Sequence, residues 1–140
     1  MLRNNPDQSI LNFTFVLYYC HLPAGKTLHF TAMNIEDLRY FCLSLPGVTE
    51  HFPFDETTLV FKVNDRMFAL TDLVGPLSVN LKCDPELAIE LRGQYPAVRP
   101  GYHMNKKHWN TVDIDGSISD SILKQWIEMS YGLIAKKKGK

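Results

Sequence analysis

The segment Leu77-Ser-Val-Asn-Leu-Lys82 alternates apolar and polar side chains without a break. Successive side chains of an extended strand point to opposite faces, so this pattern describes a strand with one face buried and Ser78, Asn80 and Lys82 turned to water or to a partner. Upstream, in Thr58-Leu-Val-Phe-Lys-Val63, the side chains of Leu59, Phe61 and Val63 share a face. Asn64-Asp65 then supplies a tight turn into Met67-Phe-Ala-Leu-Thr71. A hairpin followed by a strictly alternating strand commits the chain to an antiparallel sheet covered on one side. The cover must come from helices elsewhere in the sequence.

Those helices carry clear start and stop signals. Asn34 caps the first, Glu36 and Asp37 sit in its first turn, and Ile35, Leu38, Cys42 and Leu45 recur at helical spacing until Pro46-Gly47 ends it. Asp84-Pro85-Glu86 opens a second helix with a capping carboxylate and a proline at the first helical position, and Gly93 is expected to end it. After an irregular stretch rich in proline and glycine, His108–Ile114 reads as a strand closed by an Asp115-Gly116 turn. Ser119 caps a final helix in which Ile118 and Leu123 form a hydrophobic staple and Leu123, Trp126, Ile127, Ser130 and Leu133 make one face. The expected fold is α+β, an antiparallel sheet of about five strands with helices packed on one face, in the order α-ββββ-α-β-α.

A length of 140 residues is one domain's worth. Composition changes at Met33, so residues 1–32 are expected to be an N-terminal extension outside the fold and residues 33–140 the domain. The apolar stretch Ile10–Leu22 is 13 residues long and contains Asn12, short of the roughly 20 that cross a bilayer. A secretory leader is disfavoured, because Asp7 cancels Arg3 and no clean small-residue cleavage site follows. Fifteen Lys plus Arg against fifteen Asp plus Glu leave no net charge, hence no global field to attract nucleic acid or membrane. Cys20, Cys42 and Cys83 are odd in number and lack ligand spacing, which fits a reducing cytoplasm.

Catalytic readings find little to stand on. His103 and His108 are five apart and match no common metal site. Cys83 beside Lys82 offers a thiolate, but a strand-end cysteine is more simply a buried one. Asp113 and Asp115 flank the Asp115-Gly116 turn and are better turn formers than an acid–base pair. No glycine-rich phosphate loop and no nucleophile elbow occurs.

The densest segment is Arg99-Pro-Gly-Tyr-His-Met-Asn-Lys-Lys-His-Trp109, which gathers three cations, two histidines and two aromatics. That mixture suits phosphate contacts with base stacking, and equally a solvated loop standing on two aromatic feet, Tyr102 and Trp109. Lys136, Lys137, Lys138 and Lys140 add charge at the end of the last helix, where cations complement the helix dipole.

These residues are where the chain resembles the MmcQ/YjbR family. The matching segments are Leu45-Pro-Gly47, Phe52-Pro-Phe54, Lys82-Cys-Asp-Pro85, Leu91-Arg92, Tyr95-Pro96, Pro100–Trp109 and Ser130-Tyr131, in the family's order across nearly all of 33–140. The resemblance implies a CyaY-like, frataxin-like fold and DNA binding through a double-wing arrangement of strands. It does not carry over iron handling, since the first helix offers only Glu36 and Asp37 before Arg39. The expectation is a cytoplasmic, monomeric binding protein that meets DNA without sequence preference through Lys82, Arg99, His103, Asn105, Lys106, Lys107 and His108. It is expected to be no enzyme and to use no metal, cofactor or membrane. The alternative is a protein- or small-ligand-binding module using the same loop, and an enzyme stands third.

Overall fold

The computed structural model describes residues 32–136. The expected extension, apart from Ala32, and the lysines beyond Lys136 lie outside the described residues. Helix α1 (Ile35–Ser44) begins with a capping box, in which the Asn34 side chain accepts from the Asp37 N–H and the Asp37 carboxylate accepts from the Asn34 N–H. Six strands follow in two groups: β1 (Thr49–His51), β2 (Thr58–Val63), β3 (Arg66–Asp72) and β4 (Ser78–Lys82), then, after helix α2 (Pro85–Gln94), β5 (Val98–Pro100) and β6 (Trp109–Asp113). Helix α3 (Asp120–Ala135) closes the described chain. They form one antiparallel sheet in the order β1-β2-β3-β4-β6-β5.

The sheet has one strand more than the sequence suggests. The stretch read as irregular contains β5, whose Pro100 is tolerated because the strand is an edge and its missing N–H interrupts no central ladder. At the opposite edge β1 is only Thr-Glu-His, held by pairing with β2 and by the Arg39–Glu50 ion pair reaching over from α1. Helix α2 runs through Gly93 to Gln94, one residue past the expected stop.

The core lies between the helices and one sheet face. Leu38 and Cys42 of α1 and Leu123, Ile127 and Ile134 of α3 pack with Leu59, Phe61, Val79, Leu81, Val98 and Val112. Asn64 and Asp65 both take positive φ, the geometry of a two-residue turn that matches strand twist. A bulge leaves Phe68 without a partner on β2, so that Phe68 and Ala69, though adjacent, both join the helix-side core. There Phe68 meets Tyr131 edge to face. The Ser130 hydroxyl donates to the Phe68 carbonyl and accepts from the Lys82 N–H at 2.9 Å, bridging β3 and β4 where their direct pairing stops. Tyr131 in turn donates to the Pro46 carbonyl and ties α3 to the end of α1.

Candidate nucleic-acid interface

The sheet face away from the helices is built from the opposite phase of the same strands. Register aligns Val60 with Leu70, Leu70 with Asn80, Asn80 with Thr111 and Thr111 with Arg99, so these five side chains form one row across five strands. The next row sets Lys82 beside Trp109. Val60, Leu70 and Trp109 make a small apolar cluster here, packed by Met67 and Met104. A pocket of about 250 Å³ opens on this face among Leu70, Asp72, Ser78, Asn80, Arg99 and Tyr102.

The loop 101–108 folds over that cluster and is braced from inside. Gly101 approaches Trp109 so closely that an added Cβ would lie 2.8 Å from the Trp109 Cβ and 3.0 Å from the Met104 Cβ, so a side chain there would force a shift. Asn105 turns the loop: its side chain accepts from the Lys107 N–H, and its carbonyl from His108 and Trp109. Beneath it, Arg92 of α2 donates to Asn110 Oδ1 at 2.6 Å and to the carbonyls of Lys106 and Trp109. All three acceptors are neutral, and among the described residues no carboxylate pairs with this guanidinium.

The residues singled out from sequence therefore have unequal surroundings. Lys106 and Lys107 are exposed on the loop, with Lys106 Nζ 3.2 Å from the Gly101 carbonyl. His103 is exposed, and Lys82 and His108 are half-buried at the loop's base, where the His108 carbonyl accepts from the Cys83 N–H. Asn105 holds loop shape. Arg99 lies on the sheet face in a two-pronged pair with Asp113, at 3.1 and 2.6 Å, which raises the guanidinium's pKa and largely cancels its charge. Trp109 is 7 % exposed and is a foot of the loop as expected, but in the small cluster on the uncovered face. Tyr102 departs from expectation: it is 63 % exposed, and Met104 takes the place against Trp109 that a second foot would need.

Arg92, Asn80 and Thr111 join the site without being among its sequence-expected residues. For Asn80 the signal was present in the polar phase of the alternating strand. Arg92 and Thr111 acquire their roles only through contacts between distant segments.

Burial raises the Cys83 thiol, with Asp84 adding to the effect, and raises Cys42 to about 12; both shifts disfavour a thiolate. Among the described residues no group of three or more His, Cys, Asp or Glu is placed to hold a metal ion. None of their helices is long and apolar enough to cross a membrane. On the helix side, an apolar groove of about 680 Å³ runs between α2 and α3, lined by Leu87, Leu91, Trp126, Met129 and Leu133.

These features define a small α+β protein with a half-covered antiparallel sheet and a braced basic loop on its open side. Residues 43–133 match the YjbR family model, and the chain belongs to the YjbR family. It is 39 % identical over 100 residues to the protein named YjbR of Escherichia coli K12, covering 71 % of this chain and 85 % of that one. It is 37 % identical over 110 residues to YbdF of Escherichia coli O157:H7, covering 78 % and 85 %. Among solved structures, the DUF419-domain protein DR2400 of Deinococcus radiodurans aligns with a TM-score of 0.73 at 46 % identity, over 78 % of this chain and 83 % of that one. A Pseudomonas syringae protein aligns with a TM-score of 0.65 at 28 % identity, over 73 % and 99 %.

Proposed function

We propose that this chain is a cytoplasmic, monomeric binding module, not an enzyme, that holds nucleic acid through phosphate contacts at the 101–108 loop without reading sequence. The observation that carries this reading is an arrangement of charge. Arg92, Lys106 and Lys107 converge beneath and on one loop and have no carboxylate partner among the described residues, whereas Arg39 and Arg99 each have one. The segment from Pro100 to Val112 contains no acidic residue, and a potential screened over about 8–10 Å is felt locally even on a chain of zero net charge.

Fluorescence anisotropy with labelled DNA across a salt series tests the reading. With two to four cations engaged, the log–log slope on duplex should be about −2 to −4. Lys107→Glu should weaken binding about tenfold while leaving the thermal midpoint unchanged, because Lys107 Nζ makes no bond among the described residues and the loop is held by the Lys107 N–H instead. Lys106 is a less clean probe, since its ammonium also donates to the Gly101 carbonyl at 3.2 Å within the loop. A flat slope, or no binding at low salt, overturns nucleic acid as the ligand. A second reading, a small-ligand module, draws its support away from the loop, from the groove between α2 and α3, whose volume of about 680 Å³ lies in the ordinary range for ligand pockets.

A further inference from the structure

Tyr102 is the largest side chain of the loop that the fold leaves in water, yet its backbone is pinned, its N–H donating to the Thr111 hydroxyl at 2.9 Å. His103 beside it has φ 54°, a region that residues other than glycine enter at a cost. The two rings lie with centroids 4.0 Å apart, tilted by 56°. Tyr102 lines the pocket on the uncovered sheet face, which has Leu70 as its apolar wall. Thr111 accepts from the Tyr102 N–H and donates its own hydrogen to Asn80 Oδ1, which leaves the Asn80 amide nitrogen as a donor unpaired among the described residues. Asp72 and Ser78, on the same pocket, supply acceptors.

We infer that this pocket seats one unpaired base of a single-stranded nucleic acid, stacked on Tyr102 and met along its edge by Asn80. That assignment rests on the nucleic-acid reading above and adds the form of the strand. A base presents both its face and its hydrogen-bonding edge only when it is out of the duplex stack. An aromatic platform beside cations that track the backbone is the arrangement that holds single strands, and here Lys106 and Lys107 follow Tyr102 within one loop. A free nucleotide shares the base chemistry but brings only its own phosphate, whereas a strand offers successive phosphates to the loop's cations.

The test uses the full chain at low salt, with a labelled mixed-sequence strand about 16 nucleotides long, the duplex of the same sequence, and adenosine monophosphate as competitor. The strand should bind at least about tenfold more tightly than the duplex, and Tyr102→Ala should weaken strand binding about five- to hundredfold. Duplex affinity and thermal midpoint should not move, and Tyr102→Phe should retain strand binding. Equal affinity for strand and duplex, lost in Lys107→Glu but untouched by Tyr102→Ala, removes the base seat and leaves the phosphate reading standing. No binding of either form removes both. Adenosine monophosphate bound as tightly as the strand, with the same dependence on Tyr102, overturns the strand in favour of a free nucleotide.

Discussion

Gly101 and Trp109 are fitted to each other, and the shape of the loop depends on the fit. The Gly101 backbone leaves no room for a methyl group, since an added Cβ would meet Trp109 Cβ at 2.8 Å and Met104 Cβ and Trp109 O at 3.0 Å. Neither is the tip of a flexible side chain, so Gly101→Ala should destabilise by about 1–3 kcal/mol through forced repacking. Trp109→Ala should cost about 3–5 kcal/mol, toward the lower end because the loop above can settle into part of the cavity. Urea denaturation of both variants checks this, and a Trp109→Ala protein of full stability would mean that the indole is not a structural foot. Tyr102 shows why aromatic character alone did not reveal burial. Gly101 brings the loop base down on Trp109, Met104 fills the remaining apolar space, and the phenol seven residues before the indole is left outside.

At the scale of elements, the join between β3 and β4 depends on a side chain from a helix far along the chain. Ser130→Ala would leave the Lys82 N–H and the Phe68 carbonyl facing a methyl group in a buried site, at a cost of about 1–3 kcal/mol, and should speed hydrogen exchange at the Lys82 amide. A cost near zero would mean that water or backbone movement satisfies both groups. Turns and edges bring a pH dependence of definite sign. Backbone and side-chain donors from Thr57 and Thr58 hold Asp55 below its ordinary 3.8, the Ser117 hydroxyl and N–H do the same for Asp115, and Arg39 lowers Glu50 from 4.5. A carboxylate whose folded pKa is depressed contributes stability that is complete above its unfolded value and is lost as pH falls through the folded one. The thermal midpoint should therefore be flat above about pH 5 and fall below about pH 4. Asp55→Ala should lower the midpoint at neutral pH and flatten the acid limb, and an unchanged acid limb would remove this loop from the account. One edge strand is counted in the expected order but not located, the other is missed, and the reasons differ. Thr49–His51 has too few residues to show a period, and Val98–Pro100 carries the residue that argues most strongly against a strand until its edge position is known.

For the whole molecule, the described residues close a main core between helices and sheet in which Met33 is buried, and its N–H donates to Asp120 at the start of α3. A chain beginning at Met33 should thus fold, with a thermal midpoint within about 4–8 °C of the full-length protein; a larger fall would assign core contacts to residues before it. Much of this organisation is legible in one dimension. The half-covered antiparallel sheet, the Asn64-Asp65 hairpin and the caps at Asn34, Asp84 and Ser119 all follow from side-chain period or from backbone chemistry within a few residues, and the sequence alone determined them. The candidate site was legible only as composition. Its content depends on which strands lie side by side, and the order β4-β6-β5 brings Asn80, Thr111 and Arg99 into one row although they are far apart in the chain. That order also cancels the charge of Arg99 against Asp113, sets Arg92 under the loop with no counter-ion among the described residues, and leaves Tyr102 lining a pocket. Only the tertiary structure decided these, because pairing between distant segments is selected by packing of the whole core and has no local signature.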